Sequence, residues 1–208
     1  MMNATCGESL PEATLEAGFC AHVVPVEFDR PRSILATGKT DFLVLERGTS
    51  SVLRVFDTNG DGLPDSRVNI GASGGNHGLA YREGHIYISS DTTVWRWKYE
   101  LGSSSVESGA ETVIFNMNAD GNGGAPQGHT TRTLAFDAQG RLYISVGSNK
   151  NVDANSHRSR IRRFDLNEGN LPLNFQLGLV FADGLRNEVG LAFDRHGILW
   201  GVENGADQ

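Results

Sequence analysis

The sequence predicts an all-β fold, a β-propeller of four-stranded blades, from a repeated hairpin, the period of that repeat and the composition. The 208 residues include 26 glycines, and stretches rich in Ala, Leu and Lys are hard to find. Many short strands joined by tight turns suit such a chain. One pattern recurs at residues 78–89 (GLAYREGHIYIS), 133–145 (TLAFDAQGRLYIS) and 190–201 (GLAFDRHGILWG), with a weaker copy from Ser33 through Leu45. Each copy is a short apolar strand, a polar turn carrying Gly, and a second strand of β-branched and aromatic residues. Glycine supplies the positive φ that such hairpin turns need. A further strand with Arg beside an aromatic residue follows, at Trp95-Arg96-Trp97 and at Arg163-Phe164. With Leu35, Leu79, Leu134 and Leu191 as markers, the steps are 44, 55 and 57 residues. Blades run to roughly 40–50 residues, and insertions in loops account for the excess.

Three full units and the start of a fourth are present. Residues 205–208 break off without a closing strand. The expected organisation is therefore an N-terminal leader over 1–24 and a partial propeller of about three to four blades over 25–208, truncated at its C-terminal end. Cys6 and Cys20 are the only cysteines. They form either one short-range disulfide, tying the leader down in an oxidising compartment, or two separate thiols. Asn3-Ala4-Thr5 is an acceptor sequon for N-glycosylation. Both features point to an extracellular or periplasmic location, although Met1 is followed by polar residues rather than by a signal sequence. The net charge of −7, without a block of basic residues, argues against nucleic acid and anionic membranes as partners. No apolar run is long enough to span a bilayer.

Three segments carry polar residues immediately before or after a predicted strand, where the loops of a propeller bind ligands. They are residues 128–136 (GHTTRTLAF) with the strand that follows to Ser148, residues 184–193 (GLRNEVGLAF), and residues 202–207 (VENGAD). In this order and position they resemble the glucose/sorbosone dehydrogenase family of quinoproteins, and the likeness runs from about Val24 to the last residue. The resemblance implies a six-bladed propeller, pyrroloquinoline quinone (PQQ) and Ca²⁺ as cofactors, and oxidation of a sugar or sugar-like alcohol. The electrons would leave to an external acceptor, a haem protein or a quinone.

By the same resemblance His129 is the general base. An imidazole suits that work, being mostly neutral at pH 7 yet basic enough to take a proton. Arg186 and Asn187 match a pair that contacts the quinone and steadies charge growing on its oxygen. Asn204 matches a cofactor-contacting position, although Asn204-Gly205 read alone is a type I′ turn. Gly205 and Ala206 match residues whose backbone carbonyls hold the Ca²⁺, a hard cation that prefers oxygen. Two departures make glucose itself doubtful as substrate. Gly128 replaces the acidic residue that glucose-oxidising members carry there, and Glu188 stands where Pro is common.

Asn76 and His77 precede a repeat strand much as His129 does, so they either meet substrate or form a turn that repeats with the blade. Asp57, Asn59, Asp61 and Asp65 alternate with a Gly at the sixth position, like the first half of a Ca²⁺ loop. The twelfth position is Val68 rather than Glu, and a polar hairpin turn explains the pattern as well. The basic cluster 157–163 (HRSRIRR) is read as a solvated outer strand. The alternative to an enzyme is a propeller that binds protein or carbohydrate without catalysis, or an inactive fragment of the dehydrogenase. Fold alone does not choose between them.

Overall fold

The computed structural model describes residues 14–117, 128–154, 158–167 and 169–207. It contains three four-stranded antiparallel blades and the first hairpin of another. Blade 1 comprises β1 (Pro31–Ala36), β2 (Asp41–Glu46), β3 (Ser51–Phe56) and β4 (Ser66–Ser73) in sequential order. Blade 2 comprises β5 (Leu79–Arg82), β6 (His85–Ser89), β7 (Val94–Lys98) and β8 (Glu111–Phe115). Blade 3 comprises β9 (Leu134–Phe136), β10 (Leu142–Val146), β11 (Arg160–Phe164) and β13 (Leu179–Ala182). The last hairpin pairs β14 (Glu188–Phe193) with β15 (Leu199–Glu203). All of the repeats read from the sequence fall on the first two strands of their sheets.

One strand lies outside this scheme. β12 (Leu173–Asn174), from the loop between β11 and β13, runs parallel to β8 and becomes a fifth strand of blade 2. Phe175 follows it and is fully buried among Val94, Ile114, Leu142 and Phe164.

Alternation along the second strand of each blade builds the cores. Ile86 and Ile88 face blade 1, joining Leu43, Leu45, Val52 and Ile70, whereas Tyr87 between them faces blade 3. Leu142, Ile144 and Val146 face blade 2, and Tyr143 packs with Leu191, Phe193 and Leu199 of the last hairpin. Because both faces are covered, these strands read as nearly unbroken apolar runs, unlike a half-exposed antiparallel sheet. Burial of such side chains contributes about 1.5–3 kcal/mol each.

The expected solvated outer strand is corrected. β11 lies inside its sheet, between β10 and β13, and Arg158, Arg160 and Arg162 are all buried. Their charges are met within the protein. Arg162 donates from Nη1 to the carbonyls of Gln176 (3.0 Å) and Gly178 (2.7 Å) and lies 5.4 Å from the Phe175 ring. Arg160 reaches Asp183 at 3.1 Å, and Arg158 lies 4.0 Å from Asp153. His157 lies outside the described residues. So do Cys6 and the Asn3 sequon, while Cys20 is disulfide-bonded.

The blades are stitched together along their inner strands. Ser33 donates its hydroxyl to the His77 carbonyl, Ser89 to the Arg132 carbonyl (2.6 Å), and Ser145 to the Glu188 carbonyl (2.8 Å). Each bond runs from one blade to the next. Gly78 lies so close to the Arg132 carbonyl that a Cβ would overlap it.

His77 adds a bond in both directions. Arg32 of blade 1 donates to its Nδ1 (3.2 Å), which makes Nε2 the protonated nitrogen. Nε2 faces the Val189 carbonyl at 3.2 Å and the Thr133 hydroxyl at 3.1 Å. Burial, and then the charge of Arg32, lowers its pKa from 6.5 to about 4. Its neutral form is therefore the one the fold favours. Stability should be full above pH 6.5 and fall as pH drops toward 4, by an amount on the order of 3 kcal/mol. Urea unfolding between pH 7.5 and 4 checks this; His77→Gln should remove that part of the slope, and an unchanged slope would contradict the assignment.

Candidate functional site

In an antiparallel blade, the start of the first strand and the end of the second lie at one rim. Asn76-His77 precedes β5, His129 lies in the segment leading to β9, and Arg186-Asn187 precedes β14. Ser148 follows β10, and residues 204–206 follow β15. The resemblance-derived residues thus share one rim, around blade 3 and the last hairpin.

His129 is half-buried and held on several sides. Its backbone N–H donates to the Ser148 carbonyl (3.1 Å), and its own carbonyl accepts from Arg132 Nη1 (2.8 Å). Arg132, with no exposed surface, also donates to the carbonyls of Thr131 (2.9 Å) and Asp91 (3.1 Å). The His129 ring places Nδ1 2.7 Å from the Ser148 carbonyl and 3.1 Å from the Ser148 hydroxyl. That hydroxyl donates to the Lys150 carbonyl (2.7 Å), so it faces the ring as an acceptor. Both neighbours of Nδ1 therefore accept. The proton sits on Nδ1, and Nε2 keeps its lone pair.

Asn187 sits across Gly147 from His129. A Cβ on Gly147 would stand 2.5 Å from Asn187 Oδ1 and 2.8 Å from His129 Cβ. Asn187 is buried, yet its Oδ1 has no hydrogen-bond partner. Its carbonyl accepts from the Asn204 N–H (3.0 Å). Arg186 is fixed by Asn204 O to Nη1 (2.9 Å), Asn151 Oδ1 to Nη2 (2.8 Å) and Asn151 O to Nε (3.3 Å). Its N–H donates to the Glu203 carboxylate, and its carbonyl accepts from the Ser148 N–H (2.8 Å). Glu188, paired with Glu203 across β14 and β15, has its carboxyl pKa raised by burial and then by the Glu203 charge.

Ser148, Asn151, Arg186, Glu203, Gly205 and Ala206 line a cleft of about 260 Å³. Larger hollows, of 390 and 480 Å³, lie on the outer face of blade 1 and along β11 and β13. They are apart from these residues, so size does not identify the site. Gly205 and Ala206 are exposed, and a Cβ on Gly205 would meet only open space. A fixed guanidinium, a buried amide oxygen without a partner and accessible backbone carbonyls fit a quinone carrying carboxylates together with a hard cation.

Asn76 joins the same rim. Its Nδ2 donates to the Thr130 carbonyl (3.3 Å), and its Oδ1 is buried without a partner. His77 has both ring nitrogens bonded within the protein. Asp57, Asn59, Asp61 and Asp65 lie on the β3–β4 turn, at the opposite rim. The Asp57 carboxylate accepts from the N–H groups of Asn59, Gly60 and Gly62, and these bonds, Gly62 first, lower its pKa. Asn59 and Asp61 accept from the next residue but one, and Asp65 accepts from Thr58. Among the described residues, no three His, Cys, Asp or Glu side chains are gathered closely enough to hold a metal ion.

Sequence reasoning missed Gly147, Ser148, Asn151 and Arg132 as parts of the site. Ser148 and Gly147 close the strand after the His129 motif, which is the signal that could have found them. Asn151, in a short polar turn, gave none.

The family model described as TrAA12-like matches residues 13–208. A pyrroloquinoline quinone-dependent pyranose dehydrogenase of Coprinopsis cinerea is 31% identical over 189 residues, covering 85% of this chain and 25% of the relative. The holo form of the pyranose dehydrogenase PQQ domain from the same organism matches with a TM-score of 0.75 and 26% identity, over 88% of this chain and 46% of that one. A calcium structure of the Trichoderma reesei carbohydrate-active enzyme family AA12 matches with a TM-score of 0.73 and 28% identity, over 87% and 47%. The chain spans about a quarter of the curated relative and about half of these solved chains.

Gly147→Ala should drive Asn187 and His129 apart and destabilise the protein by about 1–3 kcal/mol, as overpacking does. Denaturant unfolding measures this, and a wild-type midpoint would show that the two side chains do not depend on the missing Cβ.

Proposed function

The chain belongs to the TrAA12-like family, and we propose that it supplies the catalytic rim of a PQQ- and Ca²⁺-dependent oxidoreductase that oxidises a sugar or sugar-like alcohol. The supporting observation is His129, whose Nδ1–H is committed to Ser148 and whose Nε2 lone pair remains to act as a base. Nε2 takes the hydroxyl proton of the substrate while hydride leaves the same carbon, giving a carbonyl product. Bound at this rim, pyrroloquinoline quinone would supply the two-electron acceptor for that hydride.

Arg186 and Asn187 are the groups of this chain that stabilise the negative charge developing on the acceptor side. Asn151 and Asn204 already hold the guanidinium in place, so little reorganisation is needed when charge appears. Asn204 would add a side-chain contact to the cofactor, and the carbonyls of Gly205 and Ala206 would hold the Ca²⁺. Asn76 would contact substrate from the blade 2 side of the rim, with His77 behind it. A haem protein or quinone would serve as the external acceptor of the two electrons. The disulfide at Cys20 supports an extracellular or periplasmic location. Among the described residues, no helix is long and apolar enough to cross a membrane.

In the full-length protein containing this chain, His129→Ala should cut sugar-dependent dye reduction by roughly 10²–10⁴-fold and leave PQQ binding largely intact. Retained turnover would remove His129 as the base. Arg186→Ala should weaken PQQ binding and slow hydride transfer by roughly 10²–10³-fold. Wild-type kinetics there would mean that Arg186 does not face the quinone.

A further inference from the structure

The loop after β10 reaches across to the residues after β15 through one side chain. Asn151 Oδ1 accepts from both Arg186 Nη2 and the Asp207 N–H, each at 2.8 Å. Asn151 Nδ2 donates to the Asp207 carbonyl at 2.9 Å. Its carboxamide thus pairs with the Asp207 backbone as a neighbouring strand would, while the same oxygen anchors the guanidinium. The Asn151 backbone carbonyl takes a further bond from Arg186 Nε at 3.3 Å.

We propose that Asn151 is a positioning residue that locks Arg186 and the Gly205–Ala206 segment into one unit, so that the quinone-facing cation and the calcium-facing carbonyls are set together. This rests on the reading of Arg186, Gly205 and Ala206 given above. The chemistry selects asparagine. An aspartate would lose the donor to the Asp207 carbonyl, and a glutamine would carry the amide one methylene too far to serve both partners. Asn151 is exposed and contributes nothing to the cores, so its replacement leaves the blades intact. Arg186 is also bonded to Asn204, whose neighbours are Gly205 and Ala206. Asn151 therefore closes a ring of contacts around the segment instead of adding an isolated bond.

The test uses the full-length apoprotein, titrated with PQQ at fixed Ca²⁺ and with Ca²⁺ at fixed PQQ, following the absorbance of the bound quinone. Asn151→Ala should weaken both affinities by about tenfold or more, since each ordered bond that holds a site is worth roughly that factor. Asn151→Gln should resemble the alanine variant rather than wild type. Arg186→Ala should weaken PQQ binding by itself, and adding Asn151→Ala to it should cost PQQ affinity less than in the wild-type background, because the bond between the two side chains is already lost and only the bonds of Asn151 to Asp207 remain to be removed. If Arg186→Ala weakens PQQ binding but Asn151→Ala binds both PQQ and Ca²⁺ as wild type does, the positioning role is wrong and the site assignment stands. If Arg186→Ala binds PQQ normally, the site assignment fails and the role of Asn151 falls with it. Wild-type affinity in Asn151→Gln, or fully additive losses in the double variant, would also overturn the proposal.

Discussion

The arrangement depends on a small interaction repeated at each blade junction: a serine hydroxyl captures a backbone carbonyl of the next blade. Ser33, Ser89 and Ser145 do this in turn, to His77, Arg132 and Glu188. The accepting residues lie just ahead of first strands or at their beginning, where the ladder leaves carbonyls free. Each bond contributes about 1 kcal/mol net, but leaving such a carbonyl buried and unpaired costs about 1–3 kcal/mol. Bare backbone at Gly78 lets the blades approach closely enough for the capture. The hydrophobic faces then pack in a register already set near the axis.

The rim is built on those same stitches. Asn76, Thr131 and Asn187 stand one residue before the captured carbonyls, and each has a buried oxygen without a protein partner. These oxygens stand at equivalent places in three successive repeats, and they are the acceptors this rim offers to the ligand proposed above. His129 stands two residues before Thr131, held by Arg132 from behind and by Ser148 at its ring. The scaffold thus fixes both the position and the tautomer of the imidazole with neutral carbonyls and a hydroxyl. No carboxylate is needed to orient it.

The strands were legible in the sequence because second strands covered on both faces leave apolar runs such as residues 85–89 and 142–146, each preceded by a glycine turn. The rim segments were legible as polar stretches flanking those runs, whereas the roles expected of His129, Arg186 and Asn187 came from the family resemblance and not from spacing. What escaped detection depends on tertiary neighbours. The basic cluster reads as a solvated strand because nothing local shows that carbonyls, carboxylates and the Phe175 ring cover Arg158, Arg160 and Arg162. Asn151 carries no local signal, since its partners come from residues 186 and 207. β12 is two residues long, too short to leave a periodic signal.

That two-residue strand changes how the molecule can come apart. A free outer strand usually frays first, and in propellers the fourth strand of each blade is the outermost. Here β8 is covered by a segment that belongs, in the chain, to the following blade, and Phe175 anchors the segment in the core between the two. Blade 2 therefore cannot shed its outer edge without also pulling the β11–β13 connection out of blade 3. The two blades should therefore open together rather than separately, beneath the rim that carries His129.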